Sequence, residues 1–289
     1  MSERETVTIV VPNYNGRQLL AENLPALVNA AKQHNPANKI IVVDDASNDG
    51  SADFIGWNFT NVEVLRLEKN KGFGAACNAG ITSARTRIVL CLNNDVRVTD
   101  GFIEPLLHHF MDPSVFAVQA VSRGEDNRKH KIPAAARKVL YACAGYCAYD
   151  RDKFIILGGF HPLYNPFYCE DRDIGYRAWK RGWKNIADPR SIVYHKGECT
   201  TRRFQIRYKE SVKFRNRIVF ILTCYDDPLR AAVAILLLLF RTFYSFRWYA
   251  FLTLVWLWKK RHEIRKKRAE DIPFWKLNDS QIQKILENQ

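Results

Sequence analysis

The sequence predicts an α/β fold with a mostly parallel central sheet, followed by a helical C-terminal extension. Two observations predict it. Over the first hundred residues, short β-branched runs alternate with stretches of helical spacing, the pattern of strand–helix–strand crossovers. After residue 220 the chain changes to long apolar runs interleaved with arginine and lysine. A length of 289 residues suits one such α/β domain, residues 1–220, with an appendage, residues 221–289.

The strands are read at residues 6–11, 39–43, 62–67 and 87–92. Between the first two, Leu20, Leu24, Leu27, Val28 and Ala31 recur at helical spacing, and Pro25 implies a first-turn position or a kink. In open parallel sheets, ligands bind beyond the carboxyl ends of the strands. That rule points to the loops at residues 12–17, 44–51 and 93–95, all rich in small polar residues. Residues 123–138 read as a polar surface loop or flap ahead of an apolar run at 139–149.

Composition narrows the class. The charged first six residues show no secretory signal. Seven cysteines without a CxxC pair suit a reducing compartment. Residues 199–289 hold 19 Lys or Arg against 8 Asp or Glu, a surplus of 11 out of the total of +14. This basic tail carries no zinc pattern or RNA-recognition signature, which argues against nucleic acid as partner. Its arginines interleave with apolar runs, as they do at a membrane surface.

Two acidic constellations stand at the predicted ligand-bearing loops and a third opens a later helix. Asp44 and Asp45 follow the second strand, where a carboxylate can accept from the NH edge of a uracil or thymine; Asp49-Gly50 reads as an ordinary turn. Asn93-Asn94-Asp95 follows the fourth strand, where Asp95 can hold a hard divalent cation against a diphosphate. Glu170-Asp171-Arg172-Asp173 opens a helical run through Tyr176, Arg177 and Trp179. One acid suffices to cap that helix, leaving another for general-base work, and Asp171 is the candidate. His195 ends a further apolar run and can complete a metal shell.

Taken in order, Val11-Pro12-Asn13-Tyr14-Asn15-Gly16, Val43-Asp44-Asp45-Ala46-Ser47, Asn70-Lys71-Gly72-Phe73-Gly74 with Asn78, Leu92-Asn93-Asn94-Asp95, Gly158-Gly159-Phe160, Glu170-Asp171 and His195 resemble glycosyltransferase family 2. The nearer likeness is to its bacterial rhamnosyltransferase-like branch, over residues 5–220. The resemblance implies a GT-A fold, an inverting sugar transfer in surface polysaccharide synthesis, and a divalent cation, Mn2+ or Mg2+. It implies a UDP- or dTDP-sugar held by Pro12, Asn13, Tyr14, Asn15, Asp44, Asp45, Lys71, Gly72, Asn78, Asn93, Asn94 and Asp95. It places Gly159, Glu170 and Arg177 on the acceptor side, Asp171 as base, and Asp95 with His195 at the metal. Asn93 departs from the family's Asp-x-Asp, leaving Asp95 as that motif's carboxylate. A non-catalytic scaffold therefore stays open as an alternative. A sugar nucleotidyltransferase is the other, although the loop at residues 12–16 lacks the glycine-rich run that would wrap a triphosphate.

The tail predicts attachment to a membrane. The apolar runs at 231–240 and 248–258 are each shorter than the roughly 20 residues a crossing needs. Helices lying in the interface are expected, with Arg241 and Arg247 snorkelling and Trp248, Trp256 and Trp258 near headgroups. The run at 259–268 would meet anionic lipid. The expectation is a monotopic or peripheral protein at the cytoplasmic face, acting on a lipid-linked or glycan acceptor. Deletion after Tyr225 is expected to release it.

Overall fold

In the computed structural model, residues 4–124, 133–197, 205–244 and 249–288 are described, those at 241–250 without their side chains. Four strands form where the β-branched runs predict them: β1 (Val7–Asn13), β2 (Lys39–Asp44), β3 (Val62–Arg66) and β4 (Ile88–Leu92). They pair in parallel in the order β3-β2-β1-β4. Every residue of β1 and β4 is buried, because helices cover both faces of this half of the sheet.

Helix α1 (Arg17–His34) presses Leu20, Leu24, Leu27 and Ala31 into the core. Pro25 lies inside this helix and not in its first turn, a correction to one of the two expectations. It sits on the exposed face, where losing the bond to the Ala21 carbonyl costs least. Helices α2 (Ser51–Asn58) and α3 (Phe73–Ser83) complete the first half. Gly80 lets α3 lie tightly on the sheet, since a Cβ there would stand 2.4 Å from Val10 Cγ1 and 2.9 Å from Val43 Cγ2.

The second half adds β5 (Val96–Val98), α4 (Ile103–His108), β6 (Val115–Gly124), β7 (Arg137–Lys138), β8 (Tyr146–Asp150), α5 (Arg151–Ile156), α6 (Glu170–Lys180) and β9 (Lys184–His195). Strand β8 inserts antiparallel between β4 and β6, β9 runs parallel to β6, and β5 and β7 pair antiparallel with β9. Residues 125–132 of the expected flap lie outside the described residues.

Four helices follow: α7 (Ile206–Cys224), α8 (Pro228–Tyr244), α9 (Tyr249–Asp271) and α10 (Asp279–Glu287). The expected boundary at residue 220 falls inside α7, in a core that Tyr164, Tyr176 and Trp179 share with Val219, Ile264 and Ile282. The end of the tail is thus packed on the α/β domain and does not hang from it. Nor does the whole run at 259–268 face outward. Lys267 is buried with its Nζ 2.7 Å from Asp173 Oδ1, and Arg268 donates to the carbonyls of Leu222 and Tyr225. Lys259, Arg265 and Lys266 do stay exposed.

Among the described residues, no helix is long and apolar enough to cross a membrane. Helix α8 nevertheless has two apolar faces. Ala234, Ile235 and Leu238 pack inward, while Leu229, Val233, Leu236, Leu237 and Phe240 form an exposed stripe at helical spacing. Phe251, Leu252, Leu254 and Trp258 of α9 are exposed as well. Arg247 and Trp248 lie outside the described residues, as does the side chain of Arg241.

Candidate active site

The sheet order reverses between β1 and β4, and a cavity of about 330 Å3 opens beyond their carboxyl ends. Pro12, Asn13 and Tyr14 line it from β1, Asp45 from the end of β2, and Asn93, Asn94 and Asp95 from the end of β4. Gly72 enters from the start of α3, Glu170 and Asp171 from the start of α6, and His195 from the end of β9.

A buried polar network stitches the three strand ends together. Asn13 Nδ2 donates to Asp44 Oδ1 at 3.2 Å, Asn94 Nδ2 donates to Asn13 Oδ1 at 2.8 Å, and Asn23 Nδ2 donates to the Asn94 carbonyl at 2.9 Å. Gly16 leaves room for it, since a Cβ there would stand 2.2 Å from Asn94 Nδ2. Asp44 also accepts from the Ser47 N–H at 3.1 Å, so it organises the turn and does not line the cavity.

Asp45 does line the cavity. Its two oxygens accept the N–H groups of Lys71 and Gly72 at 2.7 and 2.8 Å, fixing the Asn70-Lys71-Gly72 loop. Burial raises its carboxyl above the ordinary range, and those two N–H groups oppose the rise. Lys71 contributes its backbone here, while its side chain is exposed and away from the cavity. Asp49 holds the loop as a turn residue should, accepting from the N–H groups of Arg17 at 2.9 Å and Ser51 at 3.0 Å.

Sheet register brings the metal candidates together. Val96 pairs with His195 in the β5–β9 ladder, which sets His195 Nε2 3.1 Å from Asp95 Oδ1. Tyr146 steadies the imidazole edge-on, ring centres 5.8 Å apart. No group of three or more His, Cys, Asp or Glu converges among the described residues. A cation here would take one carboxylate and one imidazole from the chain, with diphosphate and water oxygens filling the shell, a donor set that such ions accept.

Glu170 and Asp171 are half-buried at the first turn of α6 and line the cavity. Burial and the neighbouring Asp171 charge push Glu170 up to about 8. Burial also raises Asp171, against the N–H of Arg172 that donates to its Oδ1 at 2.7 Å. Asn93 Oδ1, Tyr168 Oη and Glu170 Oε2 have no hydrogen-bond partner among the described residues, and all three line this cavity. Buried polar atoms are almost always paired, so their convergence is the signature of a site that a polar ligand completes.

Several candidates stand elsewhere. Asn78 clamps the turn at residue 160, its amide giving to and taking from the Phe160 backbone at 2.9 Å each way, and it does not line the cavity. Asn15 is occupied with the Ser47–Asn48 turn. Arg177 is a core residue and not an acceptor contact: it is buried, ion-paired to Asp173 at 2.8 Å, and donates to the carbonyls of Leu157 and Gly159. Gly159, whose carbonyl takes that bond at 2.9 Å, does not line the cavity. Arg215 of α7 lies over the Trp256 ring at 4.5 Å and donates to the Asn165 carbonyl.

Sequence reasoning missed Tyr168 and its loop. Buried Asn216 of α7 holds that loop by donating to the carbonyls of Tyr164, Phe167 and Tyr168 at 2.8 to 2.9 Å. A lone asparagine in a helix carries no local signal of that role.

The sequence model described as "Glycosyl transferase family 2" matches residues 8–161. A pre-mycofactocin glycosyltransferase of Mycobacterium tuberculosis is 38% identical over 117 residues, 39% of this chain and 22% of that protein. An undecaprenyl-phosphate 4-deoxy-4-formamido-L-arabinose transferase of Pseudomonas fluorescens is 37% identical over 95 residues, 32% of this chain and 28% of that protein. The chain thus spans about a quarter of the length of these curated relatives. The crystal structure of GalNAc-T7 with UDP, GalNAc and Mn2+ shares the fold with a TM-score of 0.64 at 18% identity, over 78% of this chain and 49% of that one. Glu170, Asp171 and His195 lie beyond the matched segment, and the fold returns them to the cavity that the matched strands open. On the match over its first half and on this GT-A architecture, the chain belongs to glycosyl transferase family 2.

Proposed function

We propose that the chain moves one sugar, a hexose or deoxyhexose such as rhamnose, from a nucleotide diphosphate donor to an acceptor hydroxyl by single displacement with inversion. The convergence of Asp45, Asp95, His195 and the Glu170–Asp171 pair on one cavity carries this reading. Asp45, with its remaining acceptor capacity, is the group to read the base of a UDP- or dTDP-sugar. Asp95 and His195 would hold the divalent cation, which when bound neutralises charge on the departing diphosphate. The imidazole in that pair suits Mn2+ better than Mg2+, which prefers an all-oxygen shell. The relative solved with UDP and Mn2+ supports the same assignment.

Asp171 takes the proton of the acceptor hydroxyl as that oxygen attacks the anomeric carbon. Its raised basicity serves that step, and burial together with the Asp171 charge raises Glu170 beside it as well, which disfavours two charged carboxylates side by side. The exposed apolar stripe of α8 and α9, with Lys259, Arg265 and Lys266 close by in sequence, supports peripheral attachment to the cytoplasmic face of an anionic membrane. The acceptor is then a glycan on a lipid, in line with the lipid phosphate named for the Pseudomonas relative.

The deciding experiment is thermal stabilisation of detergent-purified protein by UDP, dTDP, GDP and CDP, each with and without Mn2+ or Mg2+. Stabilisation by a uridine or thymidine nucleotide that depends on metal is expected. No shift with any nucleotide would replace this reading with a non-catalytic scaffold.

A further inference from the structure

We propose that the groove between α6, α7 and α8 seats the phosphate and the first chain units of the lipid that carries the acceptor. The inference rests on the sugar-transfer reading above and says where its acceptor lies. The groove has a volume of about 410 Å3, with Arg172 and Arg217 at hand and Phe220, Ile221, Ala234 and Leu237 among its walls.

Its chemistry is two-sided. Among the described residues, neither Arg172, half-buried, nor Arg217, exposed, has a carboxylate at ion-pair distance. Arg172 is held over the rings of Tyr141 at 5.2 Å and Phe220 at 5.9 Å, which orients the guanidinium without neutralising it. Arg172 also shares a hydrogen bond with Tyr141 and feels the Asp171 charge; with Arg217 it gives the groove two guanidinium groups, the donors that a phosphate takes in paired hydrogen bonds. The remaining wall is aliphatic and aromatic, which a free phosphate would leave uncovered.

The groove touches the outward face on one side, and α6 carries both its Arg172 and the Asp171 of the active-site cavity. Leu237 is 60% exposed and belongs to the outward apolar stripe of α8, so the groove opens onto the face proposed to lie against lipid. Arg172 follows Asp171 directly in the chain, and Asp171 lines the neighbouring cavity as the base. A molecule that lay in this groove and reached Asp171 would have an apolar chain, then an anionic link, then a hydroxyl-bearing sugar. That is the order of groups in a sugar carried on a long-chain lipid phosphate or diphosphate.

The test is equilibrium binding of labelled undecaprenyl phosphate to the full chain in nonionic detergent, with undecaprenol, inorganic phosphate and phosphatidylglycerol as competitors. Saturable binding that none of the three displaces at equal concentration is expected. Arg217→Ala and Leu237→Glu, both at exposed positions, should each weaken it by about tenfold or more, since one removes a charge-assisted contact and the other the apolar wall. Equal displacement by phosphatidylglycerol would show a general anionic-lipid surface and overturn the proposal, as would binding unchanged in both variants. Stabilisation of the same preparation by nucleotide and Mn2+ is read separately. Its absence removes the transferase reading, whereas the groove is judged on the carrier alone.

Discussion

At the residue scale, Glu170 and Asp171 share a burial that is unfavourable for folding and useful for chemistry. Asp171→Asn should lower kcat by about 10²-fold or more while leaving donor affinity nearly unchanged, because a base acts in the transition state. Single-turnover kinetics beside nucleotide binding separates the two, and near-normal turnover would move the base elsewhere. The acid limb of the kcat/KM profile should lie above the ordinary carboxylate range of about 4, since Asp171 must be ionised to work and burial raises it. Glu170 carries a stability consequence whose sign follows from the same shift. Its folded-state value, about 8, stands above its unfolded one, so the unfolded chain releases this proton first and stability falls as pH rises from about 4.3 toward 8. Glu170→Gln should therefore raise Tm more at pH 8 than at pH 5; an equal change at both would refute the linkage.

At the element scale, α6 is held at both ends by charges from the tail. Near its start, Asp173 is completely buried between Arg177 at 2.8 Å and Lys267 at 2.7 Å, with the Tyr164 hydroxyl donating at 2.7 Å. Near its end, buried Lys180 pairs with Asp226 at 2.7 Å and Asp279 at 2.5 Å. Burial alone would raise Asp173, but Arg177 and Lys267 outweigh it and hold the carboxyl well below its usual range. A depressed carboxylate adds stability that is present above its unfolded value, about 3.9, and is lost as pH falls through the folded one. Lys267→Met should cost on the order of 3 kcal/mol, as breaking a buried pair does, and should move acid unfolding to higher pH. An unchanged acid midpoint would show that Arg177 alone sets Asp173. Gly80→Ala, which drives a methyl into Val10 and Val43, should cost about 1–3 kcal/mol by overpacking, measured by denaturant unfolding.

At the scale of the whole molecule, the tail has two jobs that its sequence does not separate. Its inward face completes the core around α6, and its outward face is apolar and exposed. Deletion after Tyr225 would remove Lys267, Asp271 and Asp279 together, leaving Arg177 and Lys180 short of partners in the core. That deletion should therefore unfold or aggregate the protein and not simply release it, which revises the expectation drawn from the sequence. The clean probe of attachment is Leu236→Glu with Leu254→Glu, both on the outward face. This pair should keep Tm within a few degrees and move the protein from the membrane to the soluble fraction. Persistent membrane recovery at unchanged Tm would count against the stripe as the attachment surface.

By itself the sequence determined the four parallel strands β1–β4, the loops at their carboxyl ends and the acidic groups on them, but not β5–β9. β-branched runs, turn residues and helical spacing are local features that a chain displays before it folds. It also placed Asp45, Asp95, Asp171 and His195 as the groups to watch. Tertiary structure alone decided which polar residues face the cavity and which hold the scaffold. Asp44, Asn78 and Arg177 look as functional in sequence as their neighbours, yet Asp44 is held by the Asn13 amide and the Ser47 N–H, Asn78 by the Phe160 backbone, and Arg177 by Asp173 and the carbonyls of Leu157 and Gly159. It also decided that Tyr168 lines the site and that Lys267 is a core residue. Both outcomes depend on contacts across tens of residues, and burial, which sets the character of every charged group here, exists only once those contacts are made.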